Sequence, residues 1–172
     1  MRRRLLLALP LLALALPAFA PGGVPAPRIS ISSVEQLRRP LPSPYDATAD
    51  AHAQVDAALA RAKVSRKPVL IDFGANWCPD CRVLAGVLEL PEMETWVAAH
   101  FELVQVDVGR FDRNIDIATR FNNGTKLGAI PAVFIIDPRS GKLRNANSIL
   151  ALGDARIMKP QAIADWLAQW AR

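Results

Sequence analysis

From residue 45 onward, apolar positions recur in two rhythms, one with helical spacing and one with the period of a strand. Residues 46–63 are alanine-rich, with Val55, Leu59 and Ala62 at helical spacing, which predicts an amphipathic helix. Residues 68–73 form a short apolar run bounded by Lys67 and Gly74, the pattern of a buried strand. A helix is predicted over 79–90, with Pro79 tolerated in its first turn; Pro91 interrupts it, and 92–100 resume for a turn or two. Residues 101–108 alternate and are β-branched, predicting a second strand, and 114–121 predict a helix with Ile115, Ala118 and Phe121 on one face. A third strand is expected over 132–136. Asp137-Pro138-Arg139-Ser140-Gly141 is turn chemistry leading to a fourth strand over 142–148. A helix over 160–170, with Ile163, Trp166, Leu167 and Trp170 facing inward, closes the chain. Helices alternating with strands and ending in a hairpin and a helix imply an α/β sandwich, a mixed central sheet flanked by helices.

The first quarter of the chain follows other rules. Arg2, Arg3 and Arg4, an apolar run over 5–16 and small residues at Ala18-Phe19-Ala20 have the pattern of a secretory signal peptide over 1–20. The run is too short to span a bilayer and is broken by Pro10 and Pro17. Residues 21–44 carry Pro21, Pro25, Pro27, Pro40, Pro42 and Pro44, a density that favours extended, semi-rigid chain over packed structure. Ile29 and Ile31 would suit a short strand over 28–33. The expected organisation is a signal peptide over 1–20, a proline-rich exported segment over 21–44 and one folded domain over 45–172. Export places the protein in a periplasm, with full secretion as the other destination. Without Arg2, Arg3 and Arg4 the formal charge falls from +5 to +2, and no basic stripe interleaved with aromatics is present, which argues against nucleic acid as a partner.

Two cysteines in an exported chain carry chemical weight. Cys78 and Cys81 sit where a predicted strand gives way to a predicted helix, and at i and i+3 their sulfurs share one face within bonding reach. The helix N-terminus offers partial positive charge and free amide donors, which stabilise a thiolate at Cys78. Cys78 is then the nucleophile on a partner disulfide, and Cys81 resolves the mixed disulfide. A zinc site would need about four ligands, whereas only distant His52 and His100 accompany the pair. A purely structural disulfide would close too short a loop to constrain the unfolded chain much. A Cu(I) carrier is the remaining alternative for a soft thiolate pair, and no methionine or histidine lies nearby to support it.

The run from Val69 through Asp72-Phe73-Gly74-Ala75-Asn76-Trp77-Cys78-Pro79-Asp80-Cys81, followed about fifty residues on by Ile130-Pro131-Ala132-Val133, resembles the thioredoxin superfamily. The likeness covers roughly residues 64–172 and is greatest to exported bacterial thioredoxin-like proteins with a Trp-Cys-Pro-Asp-Cys motif. It implies a thioredoxin-like fold and thiol–disulfide exchange on protein substrates, without a bound cofactor or metal. The alternative is a non-catalytic thioredoxin-fold binding or chaperone module, in which Cys78 and Cys81 are incidental or hold copper. The working unit is expected to be a monomer recharged by a membrane or exported redox partner. By residue alone, Trp77 suits an ordinary core aromatic, Pro131 a trans proline opening a strand, and Asp72 a strand-end acid that reaches solvent. The resemblance implies instead that Trp77 lines the partner surface, that Pro131 is the cis-proline facing the disulfide, and that Ile130 pairs with a substrate peptide. Asp72 becomes the buried acid that handles the proton of Cys81. The chain departs from the common pattern at Pro79-Asp80, where thioredoxins have Gly-Pro, at Leu103 in place of a lysine, and at Gly74 in place of a second tryptophan. A carboxylate at Asp80 opposes thiolate charge, which leans the pair towards a reductase. Arg110, Arg113 and Lys126, in an elongated stretch over 109–129, are placed to border the active face.

Overall fold

The segment leading into the domain already shows how the chain is tied together. The computed structural model describes residues 24–172, so the signal peptide expected over 1–20 and the first residues of the proline-rich segment lie outside the described residues. Residues 24–44 are irregular apart from one 3-10 turn at Val34–Gln36, and no strand forms at 28–33. The alternation of Ile29 and Ile31 is nevertheless used, because both side chains pack on the core beside buried Val34 and Leu37. The backbone bonds to side chains instead of to a neighbouring strand. Ile29 N–H donates to Gln161 Oε1 at 3.0 Å, Ser30 N–H to Glu92 Oε1 at 2.7 Å, and the Arg82 guanidinium donates to the carbonyls of Leu41 and Pro42. The segment is extended, as its prolines predict, yet it is packed against the domain.

Helix α1 spans Ala51–Ser65 and starts later than its alanine content suggests. Asp50 sets the start, its carboxylate accepting the Ala53 N–H at 2.9 Å as an N-cap, while Asp46 forms a tight turn by accepting the Thr48 N–H at 2.8 Å. Strand β1 (Val69–Gly74) leads into α2 (Pro79–Leu88), then α3 (Pro91–His100), β2 (Glu102–Asp107), α4 (Ile115–Phe121), β3 (Ala132–Ile136) and α5 (Pro160–Ala168). The sheet order is β2-β1-β3, with β1 and β2 parallel and β1 and β3 antiparallel.

Strand alternation separates two apolar layers. Val69, Ile71 and Phe73 of β1 and Ala132, Phe134 and Ile136 of β3 face α1 and α4. Leu70, Val133 and Ile135 face the other way, onto α2, α3, α5 and the N-terminal segment. Asp72 shares the parity of Leu70 and therefore lies on the face that α2 covers.

The fourth strand expected over 142–148 does not form. Leu143 makes one antiparallel bridge to Ile136, and a 3-10 turn at Ala146–Ser148 follows. A side chain takes the strand's place: buried Asn145 accepts the Ile135 N–H at 2.9 Å and donates to the Val133 carbonyl at 2.8 Å. One amide thus satisfies both a donor and an acceptor on the outer edge of β3, a pairing that no period in the sequence signals. Asn145→Ala would leave both backbone groups buried and unpaired, so we expect a loss of about 2–4 kcal/mol in denaturant unfolding. Asn145→Ala at wild-type stability would show that these bonds contribute nothing.

Candidate active site

The cysteines meet at the start of α2. Cys78 is its N-cap, with extended backbone, and Pro79 occupies the first helical position, where its missing N–H costs nothing. The two cysteines form a disulfide with Cα atoms 5.3 Å apart. Cys78 Sγ also accepts the Cys81 N–H at 3.2 Å, so an amide of the first turn, free of any helical partner, points at that sulfur. Cys81 is fully buried, whereas Cys78 keeps 4 % exposure, and the outer sulfur is therefore the one a partner reaches first.

Across from the disulfide stands the loop before β3. The Ile130–Pro131 peptide bond is cis, and the Ile130 carbonyl oxygen lies 3.7 Å from Cys78 Sγ. In the disulfide that sulfur has no proton to donate, so the approach is a contact; a reduced Cys78 thiol would have an acceptor there. Among the described residues, the N–H of Ile130 has no partner. Trp77 is 49 % exposed, which rules out the ordinary core aromatic. Its indole N–H donates to the Gly109 carbonyl at 2.8 Å, and the Arg110 guanidinium lies over the ring at 5.6 Å. Arg110 therefore borders the site. Arg113 instead bonds the Ala47 carbonyl and pairs with Asp107, and Lys126 is exposed.

Asp72 is fully buried and does not reach solvent. Its Oδ2 accepts the Tyr45 hydroxyl at 2.8 Å and, more weakly, the Gln105 amide at 3.4 Å, while Oδ1 has no partner among the described residues. Burial pushes its carboxyl up to about 6, against the smaller opposing effect of the Tyr45 and Gln105 hydrogen bonds. Gln105 is the register partner of Asp72 on β2 and supplies the polar neighbour there; Leu103 packs on the core.

Two further residues belong to the site and were not legible in the sequence. Arg156 reaches Asp80 from the loop before α5, its backbone N–H donating to Oδ1 at 2.9 Å and its guanidinium to Oδ2 at 3.0 Å. The charge at Asp80 is therefore offset by a partner, and Asp80 gives no lean towards a reducing pair. Tyr45 packs against Cys78, Cys81 and Ile130. Its only sequence signal was its position at the change of pattern before the folded domain.

This chain belongs to the thioredoxin-like family, whose model matches residues 50–138. It carries on that fold the oxidisable cysteine pair with which thiol–disulfide oxidoreductases work. A solved structure of a disulphide isomerase from Xylella fastidiosa Temecula1 is 43 % identical, with a TM-score of 0.68, over 74 % of this chain and 96 % of that one. Among curated proteins, the thiol:disulfide interchange protein DsbD 1 of Pseudomonas aeruginosa is 42 % identical over 57 residues, 33 % of this chain and 10 % of that protein. A thioredoxin of Alicyclobacillus acidocaldarius is 38 % identical over 66 residues, 38 % of this chain and 58 % of its own length. In both curated relatives the match spans less than two thirds of their length.

Proposed function

We propose that the protein is an exported thiol–disulfide oxidoreductase acting on protein disulfides, with Cys78 as nucleophile and Cys81 as the resolving thiol. The observation that carries this reading is the position of Cys78 Sγ, at the first turn of α2 with an amide donor aimed at it and a sliver of its surface open. A thiolate there is stabilised by the helix N-terminus and needs no cofactor to exchange electrons. Substrate backbone would lie along Ile130 as an added strand beside Pro131, with the exposed face of Trp77 and the Arg110 cation flanking it. The leader over 1–20 supports export to a periplasm, where a membrane or exported donor would return electrons to the pair.

The protein works from its dithiol form, giving electrons to substrate disulfides for reduction or rearrangement. The disulphide isomerase with a similar fold supports this direction, since rearrangement begins with attack by a reduced cysteine. The test is the reduction potential of the Cys78–Cys81 pair, measured by equilibration against glutathione or dithiothreitol. A value between about −270 mV, typical of thioredoxin, and about −180 mV, typical of protein disulfide isomerase, is expected. A value near about −120 mV would make the protein an oxidant and overturn the direction proposed here.

A further inference from the structure

Tyr45 is held from three sides, and each contact comes from the strand-to-helix passage that carries the cysteines. Its N–H donates to Asn76 Oδ1 at 3.1 Å, and Asn76 Nδ2 returns a bond to the Tyr45 carbonyl at 2.8 Å. Its ring lies against Gly74, where any Cβ would overlap the end of the ring. Gly74 is thus the complement of Tyr45, the missing side chain being the space the ring occupies. Its hydroxyl donates to Asp72 at 2.8 Å, and the rest of the side chain packs on both cysteines. Two reciprocal amide bonds, a ring seat and a hydroxyl aimed at a buried carboxylate are more than a core tyrosine needs.

We infer that Tyr45 is a positioning residue of the redox site, its hydroxyl holding the Asp72 carboxylate as proton acceptor for Cys81. This rests on the proposed redox role of the cysteine pair and on the proton-handling role that the resemblance implies for Asp72. In the resolving step the Cys81 thiol gives its proton to Asp72, and its sulfur bonds to Cys78 Sγ. The bond between Cys78 and the substrate sulfur breaks, and the substrate leaves as a thiolate that takes a proton from water. The cysteine pair loses two electrons, and the substrate disulfide gains them. The unpartnered Oδ1 of Asp72 is the oxygen free to receive the proton, while Oδ2 stays bound to Tyr45.

The groups facing Asp72 are few. Tyr45 reaches it from the segment before α1 and neutral Gln105 from β2; its register partner on β3 is Val133, and α2 brings Cys78 and Cys81 against Tyr45. No cation pairs with it among the described residues. The Tyr45 phenol is itself pushed far up by burial and by the neighbouring carboxylate, so it stays a donor throughout the working range. Tyr45 is therefore the principal hydrogen bond favouring the ionised acid, and its loss must move the titration upward.

The experiment follows decay of the mixed disulfide between the reduced protein and a peptide with one disulfide, by acid quench across a range of pH. Tyr45→Phe keeps the ring and removes only the hydroxyl, and it is expected to raise the pH midpoint of the resolving step by about one unit. Gly74→Ala, which displaces the ring, should move it in the same direction. Carbon-13 NMR titration of the Asp72 carboxyl in the folded variants reads the same shift directly. An unchanged midpoint in Tyr45→Phe, with the pH dependence lost in Asp72→Asn, would overturn the role of Tyr45 alone. A profile unchanged in Asp72→Asn as well would overturn the role of Asp72 and this inference with it.

Discussion

Cys81→Ser is expected to convert the protein from a turning-over enzyme into a trap. Cys78 would still attack a substrate disulfide, but no second thiol would be available to displace it. A covalent adduct visible on non-reducing gels and by mass spectrometry should accumulate, while turnover falls by at least ~10³-fold, because a hydroxyl does not exchange with disulfides. Cys78→Ser should form no adduct at all. Serine suits that position structurally, since Cys78 is an N-cap and a serine oxygen can accept the same Cys81 N–H. The lost cross-link closes a loop of only a few residues, worth about 2 kcal/mol in the chain-entropy account. Chemistry is therefore removed without removing the fold. Full activity in folded Cys78→Ser would sink the proposed mechanism outright.

Asp72→Asn is expected to stabilise the protein, in a pH-dependent way whose sign follows from burial. The folded-state carboxyl titrates at about 6, above its ordinary value of 3.8, so the folded state holds the proton more tightly than the unfolded chain. Below the lower value both states are protonated, and the acid costs nothing through ionisation. As pH rises through the window between the two values, the unfolded chain ionises first. The native state then loses relative stability, reaching a plateau above about 6. A shift of roughly two units corresponds to ~3 kcal/mol at that plateau. Asparagine can keep the Tyr45 hydrogen bond without carrying charge. The variant should therefore unfold at higher urea concentration than wild type at pH 8 and show no such gain at pH 3. A destabilised variant at pH 8 would mean that Asp72 is retained for structure. Stabilisation coupled to slower mixed-disulfide resolution would be the signature of an acid kept for function at a cost in stability.

How far the site was legible varied with the range of the interaction. Cys78 and Cys81 are legible because chain neighbours carry their signal: three-residue spacing, a proline at the first helical turn and an apolar strand just before. Strands β1, β2 and β3 match the sequence pattern close to their observed bounds, β1 and β3 because a buried strand is a short apolar run and β2 because its positions alternate. The fourth strand was misread because Leu143 and Arg144 do approach β3, after which the Asn145 side chain takes over the hydrogen bonding. A side chain imitating a strand has no periodicity. The N-terminal segment was read as extended, but prolines report backbone conformation and say nothing of what Ile29, Val34 and Leu37 pack against.

What the sequence by itself determined is the layered α/β framework and the place of the cysteines, because alternation, helical spacing and capping act between residues close in the chain. What only the tertiary structure decided is the electrostatic setting of those cysteines. Asp80 is paired by Arg156, 76 positions away, and Asp72 is bonded by Tyr45, 27 positions away. Gly74 gains its meaning from a ring that arrives from the other side of α1 in the sequence. The reason is physical: the energy of a buried charge depends on which dipoles and ions surround it, and that is settled only once the sheet and helices have packed.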